Sequence, residues 1–415
     1  MLHLDTGNTG FMLLCASLVM LMTPGLAFFY GGLVGRKNVL AIMMQSFVSM
    51  GWTTVLWWAF GFSLCFSGDQ KSGTDFFGLV GNFQWAGLRG ITLQTPSPND
   101  TIPMIVFCGY QMMFAIITPA LITGAFTNRI TFKAYMLFLT AWLILVYFPF
   151  VHMVWGGGLL ATWGVKDFAG GIVVHNIAGI AALASILYVG KRKVADRGPH
   201  SIPLVALGTG LLWFGWYGFN AGSEFRVDST TAVAFLNTDI SASFAAIVWL
   251  LVDWRATSKP KFLGLLTGAV AGLATITPAA GYVSPATSAL IGSVAGVVCY
   301  YACALKNRLG WDDALDVWGV HGVGGFLGIV LLGVFASTSW NSAANGGVDG
   351  LLAGNPTFFF IQLGAAVFSS VWALVFTLGM LWLIDRFTTV RVKDSDEALG
   401  LDESLHGEAA YLEHV

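Results

Sequence analysis

Two histidines stand inside long apolar stretches, each with an aspartate before it and glycines around it. His175 lies in Asp167-Phe-Ala-Gly-Gly-Ile-Val-Val-His-Asn-Ile-Ala-Gly179 and His321 in Asp316-Val-Trp-Gly-Val-His-Gly-Val-Gly-Gly325. A single histidine in such a stretch can be a hydrogen-bonded packing residue. Two at matching places are a different matter, because ionisable groups in membrane-length segments face a cavity or the bundle interior. Removal from water disfavours the imidazolium, so both rings are expected to be neutral. A neutral pair can share a proton between ring nitrogens and show a passing molecule one lone pair or one N–H. That suits a small molecule that both donates and accepts hydrogen bonds. No third ligand accompanies the pair, so neither a metal centre nor a cofactor is expected.

A second group could recognise a cation. Trp155 ends one apolar segment, Phe219-Asn-Ala-Gly-Ser223 ends another, and Phe114 lies within a third. An aromatic face attracts a small cation by about 0.5–2 kcal/mol, depending on desolvation, and a serine oxygen can accept from the same cation. Any one of these rings taken alone reads as an interfacial belt residue. Asp167 and Asp316 each precede a histidine segment, and helix capping is the expectation for both.

These side chains need a scaffold, and composition says which kind. Of 415 residues 56% are apolar and 10% charged, less than half of the roughly 25% charged residues of a soluble domain. Mean hydropathy is +0.73. A cytosolic enzyme, a nucleic-acid binder and a disordered scaffold are excluded, the second also by a net charge of −2. Glycine at 51 residues suits helices that pack closely through small side chains. The five cysteines (Cys15, Cys65, Cys108, Cys299, Cys303) all fall in apolar runs and read as packing residues.

Apolar runs long enough to cross about 30 Å of hydrocarbon predict eleven spans, near 8–33, 39–66, 101–126, 134–156, 167–189, 201–222, 230–252, 262–281, 285–306, 316–336 and 356–385. With these spans, 16 of the 20 Lys and Arg fall on one side and only Lys71, Arg89, Lys166 and Arg226 on the other. Such a bias places the amino terminus outside and the carboxyl terminus in the cytoplasm. No Lys or Arg precedes the first span, so no cleavable signal peptide is expected. The chain divides into a transmembrane domain, 1–386, and a cytoplasmic tail, 387–415.

Three echoes link the halves. Gly25-Leu-Ala-Phe-Phe-Tyr-Gly-Gly32 resembles Gly210-Leu-Leu-Trp-Phe-Gly-Trp-Tyr-Gly218, Ile117-Thr-Pro-Ala120 recurs as Ile276-Thr-Pro-Ala279, and the His175 motif is answered by that of His321. The offset is five helices each time. Five is odd, so the second half must enter the membrane inverted, with a site near the midplane. The fold class is thus an all-α polytopic membrane protein, an inverted five-helix repeat plus one peripheral helix.

Together with Thr23-Pro-Gly-Leu-Ala-Phe-Phe-Tyr-Gly-Gly-Leu-Val34, Gly215-Trp-Tyr-Gly-Phe-Asn-Ala-Gly-Ser223 and the tail Gly400-Leu-Asp-Glu-Ser-Leu-His-Gly-Glu-Ala-Ala-Tyr411, the two histidine motifs resemble the Amt/Mep ammonium transporter family over essentially the whole chain. The resemblance implies a homotrimer in the plasma membrane with one pore per subunit. It implies recruitment of ammonium by Trp155, Phe114 and Ser223, a gate of Phe114 and Phe219, pore histidines His175 and His321, and a supporting Asp167. It further implies a PII-type signalling protein as cytoplasmic partner. Two departures from the family pattern are Glu224, which implies a more acidic mouth, and Asp239, mid-span in the seventh helix, which needs a partner on another helix. Alternatives within this fold are an ammonium-sensing receptor and a Rhesus-type gas channel. No nucleophile–base pair or metal set supports an enzyme.

Overall fold

The computed structural model describes residues 4–98, 100, 102–194, 198–342 and 346–411; Arg197, one of the basic residues counted above, lies outside them. Among the described residues eleven apolar helices carry the fold: α1 Thr6–Leu33, α2 Arg36–Phe66, α3 Met104–Ile122, α4 Phe132–Thr162, α5 Gly171–Val189, α6 Ile202–Glu224, α7 Ser229–Thr257, α8 Phe262–Ile276, α9 Pro285–Leu309, α10 Trp318–Phe335 and α11 Pro356–Phe387. Ten have at least 18 residues, and α8 has fifteen. Two short helices follow, α12 Asp394–Leu399 and α13 Leu401–His406. Among the described residues β-pairing is limited to three isolated bridges.

Local chemistry sets the helix starts. Asp5, Thr131, Ser201, Ser284 and Asn355 each accept a backbone N–H of the first turn of α1, α4, α6, α9 and α11. Asp228 and Thr231 form a reciprocal capping box on α7. The sequence predicts the eighth helix to 281, yet it stops at Ile276. The chain then turns through Thr277-Pro278, whose imide nitrogen cannot donate, and Pro278 is wedged against Gly171, where a Cβ would stand 2.6 Å from its ring.

The neighbour relations repeat at an offset of five helices. α1 packs along α6 and α5 along α10; α1 with α2 and α3 is matched by α6 with α7 and α8; α3 on α5 is matched by α8 on α10; α2 on α4 by α7 on α9. The crossing of α5 and α10 shows the repeat atom by atom. A Cβ on Gly179 would lie 1.9 Å from the Gly322 nitrogen, and one on Gly325 would lie 2.6 Å from the Asn176 nitrogen. In each helix, therefore, the glycine four residues after the histidine meets the residue just after the other histidine. Only glycine allows this approach, and it is what brings the rings together. α11 stands outside the repeat, against α4, α5 and α10.

The segment after α11 folds back over the loops that follow α1, α3 and α5. Val390 O accepts Thr131 N–H at 2.9 Å and Val392 N–H donates to Arg129 O at 2.9 Å. The Arg391 guanidinium reaches Val189 O and the Glu397 carboxylate, at 2.6 and 2.9 Å. Glu397 in turn accepts the N–H groups of Lys193 and Val194. Asp402 Oδ1 accepts Ala41 N–H at 2.8 Å near the start of α2. Beneath the tail lies Arg129, fully buried, donating to the carbonyls of Ala125, Thr127, Gly190 and Asp312 and standing 3.6 Å from the Asp312 carboxylate. Burial pulls its guanidinium down to about 10, opposed by Asp312, so it stays charged at neutral pH.

Asp239 finds its partner on a neighbouring helix. The Tyr217 hydroxyl of α6 donates to Oδ1 at 2.6 Å, and the Tyr217 ring stacks on Phe235 of α7 with centroids 4.3 Å apart. An asparagine oxygen accepts the same bond. Asp239→Asn is therefore expected to keep ammonium uptake within about twofold of the parent, a change of only a few tenths of a kcal/mol. Abolished uptake in a variant that still assembles normally would place the carboxylate on a proton path.

Candidate functional site: a pore with a mouth on each face

The bundle has two faces, that of the docked tail and the one opposite. On the opposite face a cavity of about 470 Å³ opens between α3, α4, α6 and the α4–α5 connection. Trp155, Phe114 and Ser223 line it together. The Phe114 ring meets Trp155 edge-on, with centroids 6.0 Å apart and planes at 89°. The Trp155 indole N–H donates to Asp167 O at 2.9 Å, which fixes the plane of its π face. Ser223 Oγ donates to Phe219 O at 2.9 Å and so keeps oxygen lone pairs to offer. Glu224 also lines the cavity, but Arg226 spans it and Asp228 at 2.7 and 2.9 Å. The acidity that Glu224 alone implies is offset by that guanidinium.

Beneath the cavity Phe114 and Phe219 pack closely, with centroids 4.3 Å apart and planes tilted by 36°. Both are about 1% exposed, so the rings close the passage. Below them the aromatic column continues. His175 stacks against Phe219 at 5.9 Å and against Trp216 at 5.4 Å, and His321 stacks on His175 at 5.2 Å. The Trp216 N–H is held by Thr277 Oγ1 at 2.9 Å.

The two histidine Nδ1 atoms are 3.2 Å apart. One must carry the proton and the other the lone pair, since two N–H groups or two lone pairs would repel at that distance. The shared proton sets the far nitrogens to opposite roles: one Nε2 accepts, the other donates. His175 Nε2 is buried without a partner among the described residues. Both rings border a narrow apolar chamber of about 10 Å³, with Ile117, Leu121, Val174 and Leu212 in its wall. That is room for about one water-sized molecule. On the tail face a second cavity, of about 200 Å³, begins at His321 and is bordered by Phe29, Tyr30 and Asp316.

The backbone around the histidines is specialised. Both lie in π-helical turns, Gly171–Asn176 and Trp318–Gly322, which displace the side chain from the regular α register. Asp167 anchors the first turn. Its carboxylate accepts the N–H groups of Gly170, Gly171, Ile172 and Val173 at 2.9, 2.6, 2.8 and 3.3 Å. Asn176 ties the other end of the turn to α11 through Ser369 Oγ at 2.7 Å.

On α10 the aspartate expected to cap is the wrong one. Asp316 pairs with Lys306 Nζ at 2.5 Å, and its own φ is +57°. Asp313 does the work instead, accepting Trp318 N–H at 2.8 Å. The signal was a spacing: Asp313 stands eight residues before His321, as Asp167 stands eight before His175. The two aspartates cap helices that start at opposite faces, which is the inversion of the repeat seen at the site.

His152 was also missed. Its Nδ1 is 2.9 Å from Cys65 O and its Nε2 is 3.0 Å from Asp75 Oδ2. It pins the loop after α2 beside Trp155, a contact between distant segments that no local pattern encodes.

Known proteins share the sequence and fold of this chain. The family model described as the Ammonium Transporter Family matches residues 10–411. The chain is similar to an ammonium transporter of Bacillus subtilis, 43% identical over 414 residues, covering 99% of this chain and 100% of that one. It is similar to ammonium transporter Amt1 of Archaeoglobus fulgidus at 41% identity, covering 98% and 100%. Among solved structures, Mep2 of Saccharomyces cerevisiae superposes with a TM-score of 0.87 at 33% identity, covering 94% of this chain and 88% of that one. A sensor Amt protein superposes at 0.86 with 27% identity, covering 95% and 97%. By the match over nearly its whole length, by these relatives and by the shared fold, the chain belongs to the ammonium transporter family.

Proposed function

We propose that this protein carries ammonium across the plasma membrane as ammonia, with the large cavity outside and the tail in the cytoplasm. Ammonium leaves bulk water at Trp155, Phe114 and Ser223, loses a proton at the phenylalanine gate, and passes His175 and His321 as a neutral molecule. One observation carries the reading. A cavity with aromatic faces and a serine oxygen leads to two closely packed phenylalanine rings and then to two histidines in hydrogen-bond contact, 3.2 Å apart. A cation site followed by an apolar constriction suits a species that can shed its charge on the way. A gas channel has no use for the cation site.

The same reading makes the subunit one of three in a homotrimer, divided into a transport domain, 1–386, and a tail, 387–415. The tail's contacts with the loops after α1, α3 and α5 support a regulatory face there, on which a PII-type protein would act. Asp167 acts by holding the His175 turn. The sensor reading keeps a place because a sensor Amt protein shares the fold at 27% identity.

Purified protein in potassium-free proteoliposomes separates the two. Saturable ammonium uptake, absent from protein-free vesicles, is the expected result, and the current recorded alongside tells whether the proton follows. Binding of ammonium without any uptake overturns the transport reading in favour of the sensor.

A further inference from the structure

The helix outside the repeat, α11, turns the apolar side chains of Phe360, Val367, Val371 and Val375 outward and buries Gln362 and Ser369 completely. Polar side chains are expensive at that depth, so what they bind matters. The Gln362 amide pairs with both halves of one residue's backbone: Oε1 accepts Lys166 N–H at 2.9 Å and Nε2 donates to Lys166 O at 2.7 Å. Lys166 immediately precedes Asp167, in the irregular connection that runs from Gly164 at φ +88° to Gly170 at φ +121°. There no helix satisfies the peptide groups. Two turns further along α11, the Asn176 amino group donates to Ser369 Oγ at 2.7 Å and to Ser370 Oγ at 3.1 Å. Asn176 directly follows His175. One helix thus grips the chain just before the aspartate that caps the π turn and just after the histidine that the turn carries.

We infer that Gln362 is a positioning residue: with Ser369 and Ser370 it makes α11 a splint that holds the segment from Lys166 to Asn176 at both ends and so sets where His175 meets His321. A π turn leaves the regular helix register, so helix geometry alone does not place the ring it carries. Asp167 holds the donors of the turn, but it stands on a loop, and Gln362 is what fixes that loop from outside the repeat. α11 suits the task. It is unbroken over 32 residues, with proline only at its first position, and its rise sets the two grips about 10 Å apart. The tolerance is small, because the two Nδ1 atoms are 3.2 Å apart and a displacement of about 1 Å takes them out of hydrogen-bond range. That a misplaced ring slows ammonium rests on the transport reading above; the contact itself does not.

The test reads the contact and the rate separately. In 15N-histidine-labelled protein in liposomes at neutral pH, solid-state NMR of the parent should show a downfield proton coupled to two Nδ1 nitrogens. Its loss in His175→Gln assigns it among the 7 histidines. Gln362→Leu keeps the bulk and removes both bonds to Lys166, so that resonance should vanish. Maximal ammonium uptake per assembled subunit should fall about tenfold with KM within about twofold, because the mouth is untouched. A residue that only stabilises the bundle would lower the melting temperature and leave the resonance and the rate per subunit parental, and that result overturns the inference. So does a parent that lacks the resonance. Should Gln362→Leu fail to assemble, Ser369→Ala combined with Ser370→Ala decides. That pair leaves Asn176 only Ala366 O, so the resonance should weaken and the rate fall about threefold; parental values overturn the inference here too. Loss of the resonance with parental uptake upholds the splint and removes the shared proton from the transport reading. A parent that takes up no ammonium refutes transport itself, and the resonance still tests α11.

Discussion

Potassium alone should carry current through the His175→Asp and His321→Glu variants, where the parent excludes it. Potassium and ammonium are close in size, so a steric filter separates them poorly. Charge is the better discriminator. Between the gate and the tail-face cavity the passage is a narrow chamber walled by Ile117, Leu121, Val174 and Leu212, with the two imidazoles as its polar groups. A fixed cation entering it gives up its water shell at a cost of several kcal/mol even after relaxation. Each 1.4 kcal/mol is tenfold in population. Ammonia avoids that cost, because one Nε2 can donate to it and the other can accept from it. A carboxylate at either position supplies the compensating charge and lowers the barrier for any monovalent cation. An increase of about a hundredfold or more in potassium current is expected, read in proteoliposomes without ammonium. If both variants assemble and still exclude potassium, selectivity is set at Trp155 and Phe114, and the histidines serve another purpose.

Asp167→Ala should be among the most damaging single substitutions in the protein. The carboxylate accepts four consecutive N–H groups from Gly170 to Val173. Each of these, left buried and unpaired, costs about 1–3 kcal/mol, and the sum rivals the marginal stability of a whole domain. The turn they belong to carries His175, so the ring loses its position even where the helix survives. The expected outcome is either a failure to assemble or uptake reduced at least a hundredfold, with an earlier thermal transition in both cases. Asp167→Asn keeps one acceptor oxygen but points its amino group at backbone donors, so it should fall between alanine and the parent. Alanine with parental uptake and parental melting would show that the carboxylate does not hold the turn.

Much of this protein could be read from its one-dimensional pattern, because hydrocarbon imposes a length and a polarity on each crossing. Spans expected at 8–33, 39–66 and 356–385 lie within the helices found at Thr6–Leu33, Arg36–Phe66 and Pro356–Phe387. The five-helix offset was legible too, since the two histidine motifs and the two Ile-Thr-Pro-Ala motifs are contiguous. Trp155, Phe114, Ser223, Phe219, His175 and His321, which the structure gathers at one cavity and in the ring column beneath it, could be picked out because each sits in a short motif that resembles a known family's.

What the pattern could not decide was distance. That the histidines meet at Nδ1 rests on Gly179 and Gly325 pressing against the opposite helix, an approach set by two backbones far apart in sequence. The helix ends were decided in three dimensions as well. α8 stops at Ile276 where Pro278 must fit against Gly171, and Asp313 rather than Asp316 caps α10 because Lys306 reaches Asp316 first. Partners for lone polar groups, Tyr217 for Asp239 and Asp75 for His152, likewise come only from packing. Apolar periodicity records which residues leave water. It carries no record of which polar groups find one another once they have left, since that depends on helix rotation and crossing, fixed by close contacts between small residues.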